Sequence, residues 1–93
     1  MWVRIDEVAF DLERAGAVID RTRNTAVGLH QGEDFRGFRL LVDRANGRGL
    51  DVSYWDTEAG ARADRAQQDI APDAPGATVV VRTNVYELAI DAC

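Results

Sequence analysis

The chain has no lysine. Its eleven basic residues are all arginine, set against sixteen acidic ones, for a formal net charge of −5. That balance argues against a nucleic-acid backbone or an anionic bilayer as partner, because both are bound through clustered positive charge. Cysteine occurs once, as Cys93, so an intramolecular disulfide and a cysteine metal cluster are both excluded and a reducing cytoplasm is the expected compartment. Cys93 itself is read as inert. Histidine also occurs once, as His30, with no second histidine to share an ion; no metal site and no cofactor are expected. The opening residues MWVRIDEVAF carry Asp6 and Glu7 where a secretory leader needs an unbroken apolar run, and no window approaches the length of a membrane span.

What is present reads as one domain over residues 1–93, with 46% hydrophobic residues, an ordinary share for a globular chain. So short a chain has little apolar area to spare, and self-association is one way to bury more. Trp2 to Phe10 alternates with a period of two, setting Val3, Ile5 and Ala9 against Trp2, Arg4, Asp6, Val8 and Phe10, which predicts a strand. From Leu12 the period lengthens. Leu12, Ala15, Val18, Ile19, Thr22 and Ala26 recur at helical steps, with Asp11 placed to cap the helix and Gly28 to end it.

Two strands follow, Arg36 to Arg44 and Arg48 to Trp55, joined at Asn46-Gly47, a pair suited to a tight hairpin turn. Asp56, Thr57 and Glu58 supply a cap and a negative first turn for a second helix, with Ala59, Ala63, Ala66 and Ile70 as a narrow apolar stripe. Pro72, Pro75 and Gly76 break that helix, and Thr78 to Ile90, rich in Val, Thr and Tyr, predicts a long last strand. The order is βαββαβ. It predicts an α+β, ferredoxin-like fold in which two helices cover one face of a four-stranded antiparallel sheet.

A two-residue loop at Asn46-Gly47 would set Val42 opposite Asp51, Leu40 opposite Ser53 and Phe38 opposite Trp55. Paired residues share a face. One face then carries Phe38, Leu40, Val42, Asp51, Ser53 and Trp55; the other carries Leu41, Leu50, Val52 and Tyr54, with Arg39 and Asp43 toward its rim. A three- or five-residue loop, with Gly49 as a bulge, would change which residues share a face. Both faces are substantially apolar on either count, and an uncovered apolar face of this kind points to a second copy of the chain packing sheet against sheet.

The segment FRGFRLLVDRANGRGLDVSYWDTEAGARA resembles the corresponding part of the antibiotic biosynthesis monooxygenase-like, dimeric α/β-barrel superfamily. Members often enter the second strand through a Pro-Gly-Phe-x-Gly approach and end the third in Trp followed by an acidic or small residue. Here Glu33-Asp34-Phe35-Arg36-Gly37 stands at the approach, and Val52-Ser53-Tyr54-Trp55-Asp56-Thr57-Glu58 matches the strand end. The resemblance implies a homodimer with a pocket between each sheet and its helices. The superfamily includes cofactor-independent oxygenases of polycyclic phenols and quinols, heme-degrading enzymes, dismutases and members without known activity. In the oxygenases and heme degraders a pocket Trp stands where Trp55 does. The phenol oxygenases also use an Asn four residues before it, where this chain has Asp51. Heme degraders need an Asn on the first strand and a His on the second helix; this chain offers Asp6, and ARADRAQQDI contains no histidine, which disfavours heme degradation.

Trp55 is thus either a pocket wall or a core anchor at the strand-to-helix corner. Asp51 is either a general base in an apolar pocket, where burial raises its pKa, or a solvated carboxylate near a strand end. His30 is either an acid–base group at a pocket mouth or an exposed loop residue. Phe38, Leu40 and Ser53 share the Trp55 face and are candidates to touch a small organic molecule. Arg82 and Tyr86, which share one side of the last strand with Asn84, are candidates for the same role or for inter-subunit contact. Two functions follow. One is a small oxygenase acting on a flat aromatic or quinol-type molecule, with Asp51 or His30 as base; the other is a non-catalytic dimeric domain that binds a small molecule or only assembles.

Overall fold

The computed structural model describes residues 1–29, 34–63 and 78–92, with the backbone alone over 25–29. Expectations resting on His30, Ala66, Ile70, the two prolines and Cys93 lie outside the described residues. The first strand, β1 (Trp2–Ala9), leads through a single 3-10 turn over Leu12–Arg14 into α1 (Ala15–Leu29). The hairpin strands β2 (Phe35–Asp43) and β3 (Arg48–Trp55) follow, then α2 (Glu58–Arg62) and β4 (Val79–Glu87). The sheet order is β2-β3-β1-β4, and all three pairings are antiparallel. This is the ferredoxin-like arrangement that the element order predicts.

The hairpin departs from the expected turn in an instructive way. Its loop is four residues long, Arg44 to Gly47, and the pairing runs Val42 with Gly49, Leu40 with Asp51 and Phe38 with Ser53. The Asp43 carboxylate accepts from the Ala45 backbone N–H at 3.2 Å and from the Asn46 side-chain amide at 2.7 Å, holding the wider turn. Among the described residues Gly47 alone takes a positive φ, 63°, and its carbonyl accepts the Phe10 N–H at 2.9 Å, so β1 fixes the far side of the loop. A methyl group there would lie 2.5 Å from the Phe10 carbonyl oxygen. The register is thereby displaced by two residues from the two-residue-loop expectation. A displacement by an even number leaves each residue on its expected face, because side chains alternate with a period of two.

Several local expectations also need correction. Asp11 makes no side-chain cap bond; its carbonyl accepts from the Arg14 N–H at 2.9 Å, starting the 3-10 turn instead. Leu12 consequently stays exposed, and Ala15 and Val18 are the buried positions among the described side chains of α1. In α2, Gly60 and Ala61 are buried while Ala59 is exposed, so the helix is rotated from the expected stripe. The rotation is set at its start. Thr57 caps the helix by accepting from the Gly60 N–H at 3.0 Å and donates its own hydroxyl to Asp34 at 2.9 Å. The Asp34 carboxylate fills the space that a side chain at position 60 would need. In β4 a bulge leaves Val81 unpaired between Arg82, which faces Glu7, and Val80, which faces Val8.

Arg4 and Trp55 show which face the helices cover. Trp55, Phe35 and Ala61 of α2 form a buried cluster flanked by Trp2, Phe38 and Val85, and the Phe35 and Trp55 rings meet edge to face at 5.1 Å. A bulge at Arg36 brings Phe35, in place of the expected Phe38, opposite Trp55. It also turns Arg36 outward to pair with Asp56, with Nε 2.8 Å from Oδ1. The other face, with Val3, Ile5, Leu41, Leu50, Val52 and Tyr54, has none of the described helices over it. Val3 and Val52 are buried by their neighbours, Ile5, Leu50 and Tyr54 are half-buried, and Leu41 is exposed. An open depression of about 230 Å³ lies on this side, lined in part by Glu7, Leu41, Asp43 and Leu50.

Candidate functional site

The covered face is not uniformly apolar. In β1 the inward alternation runs Trp2, Arg4, Asp6, Val8, and in β3 Gly49, Asp51, Ser53, Trp55. Antiparallel pairing sets Asp6 directly across from Asp51 and Arg4 across from Ser53. Beyond them, Leu40 of β2 faces Asp51 and Thr83 of β4 faces Asp6. Two carboxyl groups therefore stand side by side beneath the helices, with about 4.5–5.5 Å between the Cβ atoms of such a pair.

Their environments differ. Asp6 is buried and well served: Arg4 Nε lies 3.1 Å from Oδ2, and the Thr83 hydroxyl donates to Oδ1 at 2.5 Å. Arg4 is itself enclosed, and its Nη1 donates to the Ala63 carbonyl at 2.6 Å. That carbonyl belongs to the end of α2, where helical acceptors lack intrahelical donors. Asp51 is half-buried, and its Oδ1 is enclosed with no hydrogen-bond partner among the described residues. Burial, and secondarily the negative charge of Asp6, push its pKa from 3.8 up to about 6. A carboxyl so placed takes up and gives away a proton close to neutrality, which an ordinary aspartate does not.

The other sequence candidates divide between this centre and the rest of the fold. Ser53 and Trp55 belong to the covered face, but they engage each other: Trp55 Nε1 donates to Ser53 Oγ at 2.8 Å, both buried. At 2% exposure Trp55 is a core residue of the strand-to-helix corner. Phe38 and Leu40 flank Ser53 and Asp51 on the same face. Arg82, Asn84 and Tyr86 pair with Glu7, Ile5 and Val3, so the register places them on the open face, away from Asp51. His30 lies outside the described residues. Arg4 and Thr83 were missed as partners in the sequence. The available signal was the phase of Arg4 and Asp6, two charged residues in step with Trp2 and Val8.

Among solved structures, the chain superposes on the heme-free crystal structure of a heme-degrading protein from Mycobacterium tuberculosis, in a cleaved form. The TM-score is 0.71 over 99% of this chain and 98% of that one, at 18% sequence identity. Likeness at that identity carries the fold. No protein-family model and no curated protein matches the chain. Among the described residues, no helix is long and apolar enough to cross a membrane.

The raised pKa of Asp51 has a consequence for stability. A carboxyl that holds its proton more tightly when folded costs nothing below about pH 4, where both states are protonated. The penalty grows between 3.8 and about 6, and is complete above that. A displacement of this size corresponds to at most about 3 kcal/mol. Asp51→Asn should therefore be more stable than the wild type at pH 8 in urea unfolding, with the gain vanishing near pH 4. A variant less stable than wild type at pH 8 would show that the carboxylate is accommodated without penalty.

Proposed function

We propose that this chain is a small cytoplasmic homodimer of the antibiotic biosynthesis monooxygenase-like kind, which oxygenates a flat aromatic or quinol-type molecule without a bound cofactor. The observation that carries this reading is Asp51. Its carboxyl stands on the helix-covered face, with one oxygen unpartnered among the described residues and a pKa raised to about 6. An unpartnered acceptor between Leu40 and Ser53 suits a base waiting for an acidic C–H or O–H.

The chemistry needs little else. A methylene made acidic by an adjoining carbonyl and aromatic rings gives its proton to Asp51. The resulting anion donates electrons to dioxygen and forms a carbon–oxygen bond. Asp51 returns the proton to the peroxide, whose O–O bond then breaks as water departs with the second methylene hydrogen. One methylene becomes one carbonyl for each dioxygen consumed. Apolar surroundings, supplied by Phe38, Leu40 and Val8, favour the step by keeping water from the anion.

Heme, the group for which the structural neighbour is named, does not fit the residues present. Asp6 and Asp51 would set two acidic groups on the covered face against the propionates of a porphyrin. Asp6 is already engaged by Arg4 and Thr83, and residues 59–70 contain no histidine. No step of the proposed chemistry passes through it. A second reading, a non-catalytic binding or assembly domain, is favoured by Trp55, whose indole N–H is taken up by Ser53 and whose ring is spent in the core.

The two readings separate on oxygen uptake. Wild-type protein given a panel of anthrones and quinols should consume dioxygen above the spontaneous rate, with activity rising through about pH 6 as Asp51 ionises. Asp51→Asn should lose on the order of 100-fold or more. No uptake above background with any member of the panel would leave the non-catalytic reading.

The dimer is supported by the open face, where Val3, Ile5, Leu41, Leu50, Val52 and Tyr54 have none of the described helices over them. Light scattering at micromolar concentration should give twice the 10.2 kDa chain mass. Leu41→Asp, an exposed change, should give a folded single chain. A single-chain mass for the wild type would contradict the pairing.

A further inference from the structure

We propose that Asp6 is a positioning residue for the Asp51 base: clamped between Arg4 and Thr83 and directly across the strand pair, it holds a negative charge beside the carboxyl that must accept the substrate proton. The inference rests on the reading of Asp51 as a base and adds what makes that base effective.

Asp6 is reached from three directions: Arg4 of its own strand at 3.1 Å, Thr83 of β4 at 2.5 Å, and Asp51 across β3. Arg4 is in turn anchored at 2.6 Å to the end of α2 through the Ala63 carbonyl. Two ties on the guanidinium, Nε to Asp6 and Nη1 to the Ala63 carbonyl, direct it to Asp6. Both oxygens of Asp6 are thus occupied, one by Arg4 and one by Thr83, and its charge stays put. If Arg4 paired with Asp51 instead, that carboxylate would be stabilised as an ion and become a poor base.

Few other charges among the described residues compete. On the covered face β2 contributes Phe38, Leu40 and Val42, all apolar. β4 contributes Thr83 and Val85, with Glu87 exposed at the far end opposite Trp2. α1 buries Ala15 and Val18, and α2 buries Gly60 and Ala61 while its Arg62 and Glu58 pair with each other outside. Arg4 and Asp6 are the charged groups of β1 on this face. Two like charges directly opposed on a sheet are unfavourable. Here the arrangement persists because three elements, β1, β4 and α2, are tied together by the groups that bind Asp6. Burial is the larger cause of the elevation at Asp51, and the Asp6 charge the smaller.

The experiment is a carboxyl-carbon NMR titration of the full-length protein labelled in aspartate, with Asp51 assigned through Asp51→Asn and oxygen uptake measured in parallel. In Asp6→Asn the Asp51 midpoint should fall below its wild-type position while staying above 3.8, because burial remains. The acid limb of the activity profile should fall with it, so that relative activity at pH 5 rises several-fold. Asp6→Glu, which keeps the charge, should restore the higher midpoint. An Asp51 midpoint unchanged in folded Asp6→Asn overturns the inference and leaves the base reading standing. Should that variant not fold, Asp6→Ser decides in its place: the Asp51 midpoint should again fall, and an unchanged midpoint overturns the proposal. A displaced midpoint without oxygen uptake would keep this coupling and remove the proposed activity, so the two failures are distinct.

Discussion

Two carboxyl groups face each other across one strand pair beneath the helices, and much of the molecule is arranged around that fact. Charge taken out of water must be paired, hydrogen-bonded or neutralised by protonation. Asp6 takes the first two routes through Arg4 and Thr83. Asp51 goes only part of the way along the third: its pKa rises to about 6, and an oxygen is left without a partner among the described residues. The ties to Asp6 also serve the fold, since Arg4 reaches the end of α2 and Thr83 joins the edge strand β4 to the central strand. A single electrostatic problem thus links three elements and leaves one carboxyl poised near neutrality.

The second constraint is area. Two helices cover one face of the sheet, and the Trp55–Phe35–Ala61 corner shows how tightly they do so. The opposite face presents Val3, Ile5, Leu50 and Val52 with charged residues at the margins, and Arg39 lies 5.8 Å from the Tyr54 ring centroid. An apolar centre with a polar rim is the pattern of a protein–protein contact. In this account the two faces divide the work, with chemistry under the helices and association on the open side.

The sequence was legible where the signal is local and periodic. Element order, the identity of each hairpin face and the Thr57 cap all follow from spacing within a few residues. The hairpin faces survived a wrong loop length because the true register differs by an even number of residues. Asp11 and the Ala59 stripe failed for the opposite reason: the 3-10 turn and the Asp34 contact with α2 override local preference. The pairing of Asp6 with Asp51 was illegible because it depends on the register between β1 and β3, which brings together residues more than forty positions apart. Trp55 looked equally suited to a pocket wall and to the core; only the Ser53 hydrogen bond and the Phe35 ring, brought close by a bulge, place it in the core.

The central claim is that Asp51 removes a proton from carbon, and it can be separated from any later reaction with oxygen. Under strict anaerobiosis in deuterium oxide, the wild-type protein should accelerate exchange of the acidic methylene hydrogens of an anthrone, with no net oxidation. Asp51→Asn should leave exchange at the buffer rate. Equal exchange with the two proteins, at a rate above buffer, would assign proton removal to another group; exchange at the buffer rate with both would contradict base catalysis altogether.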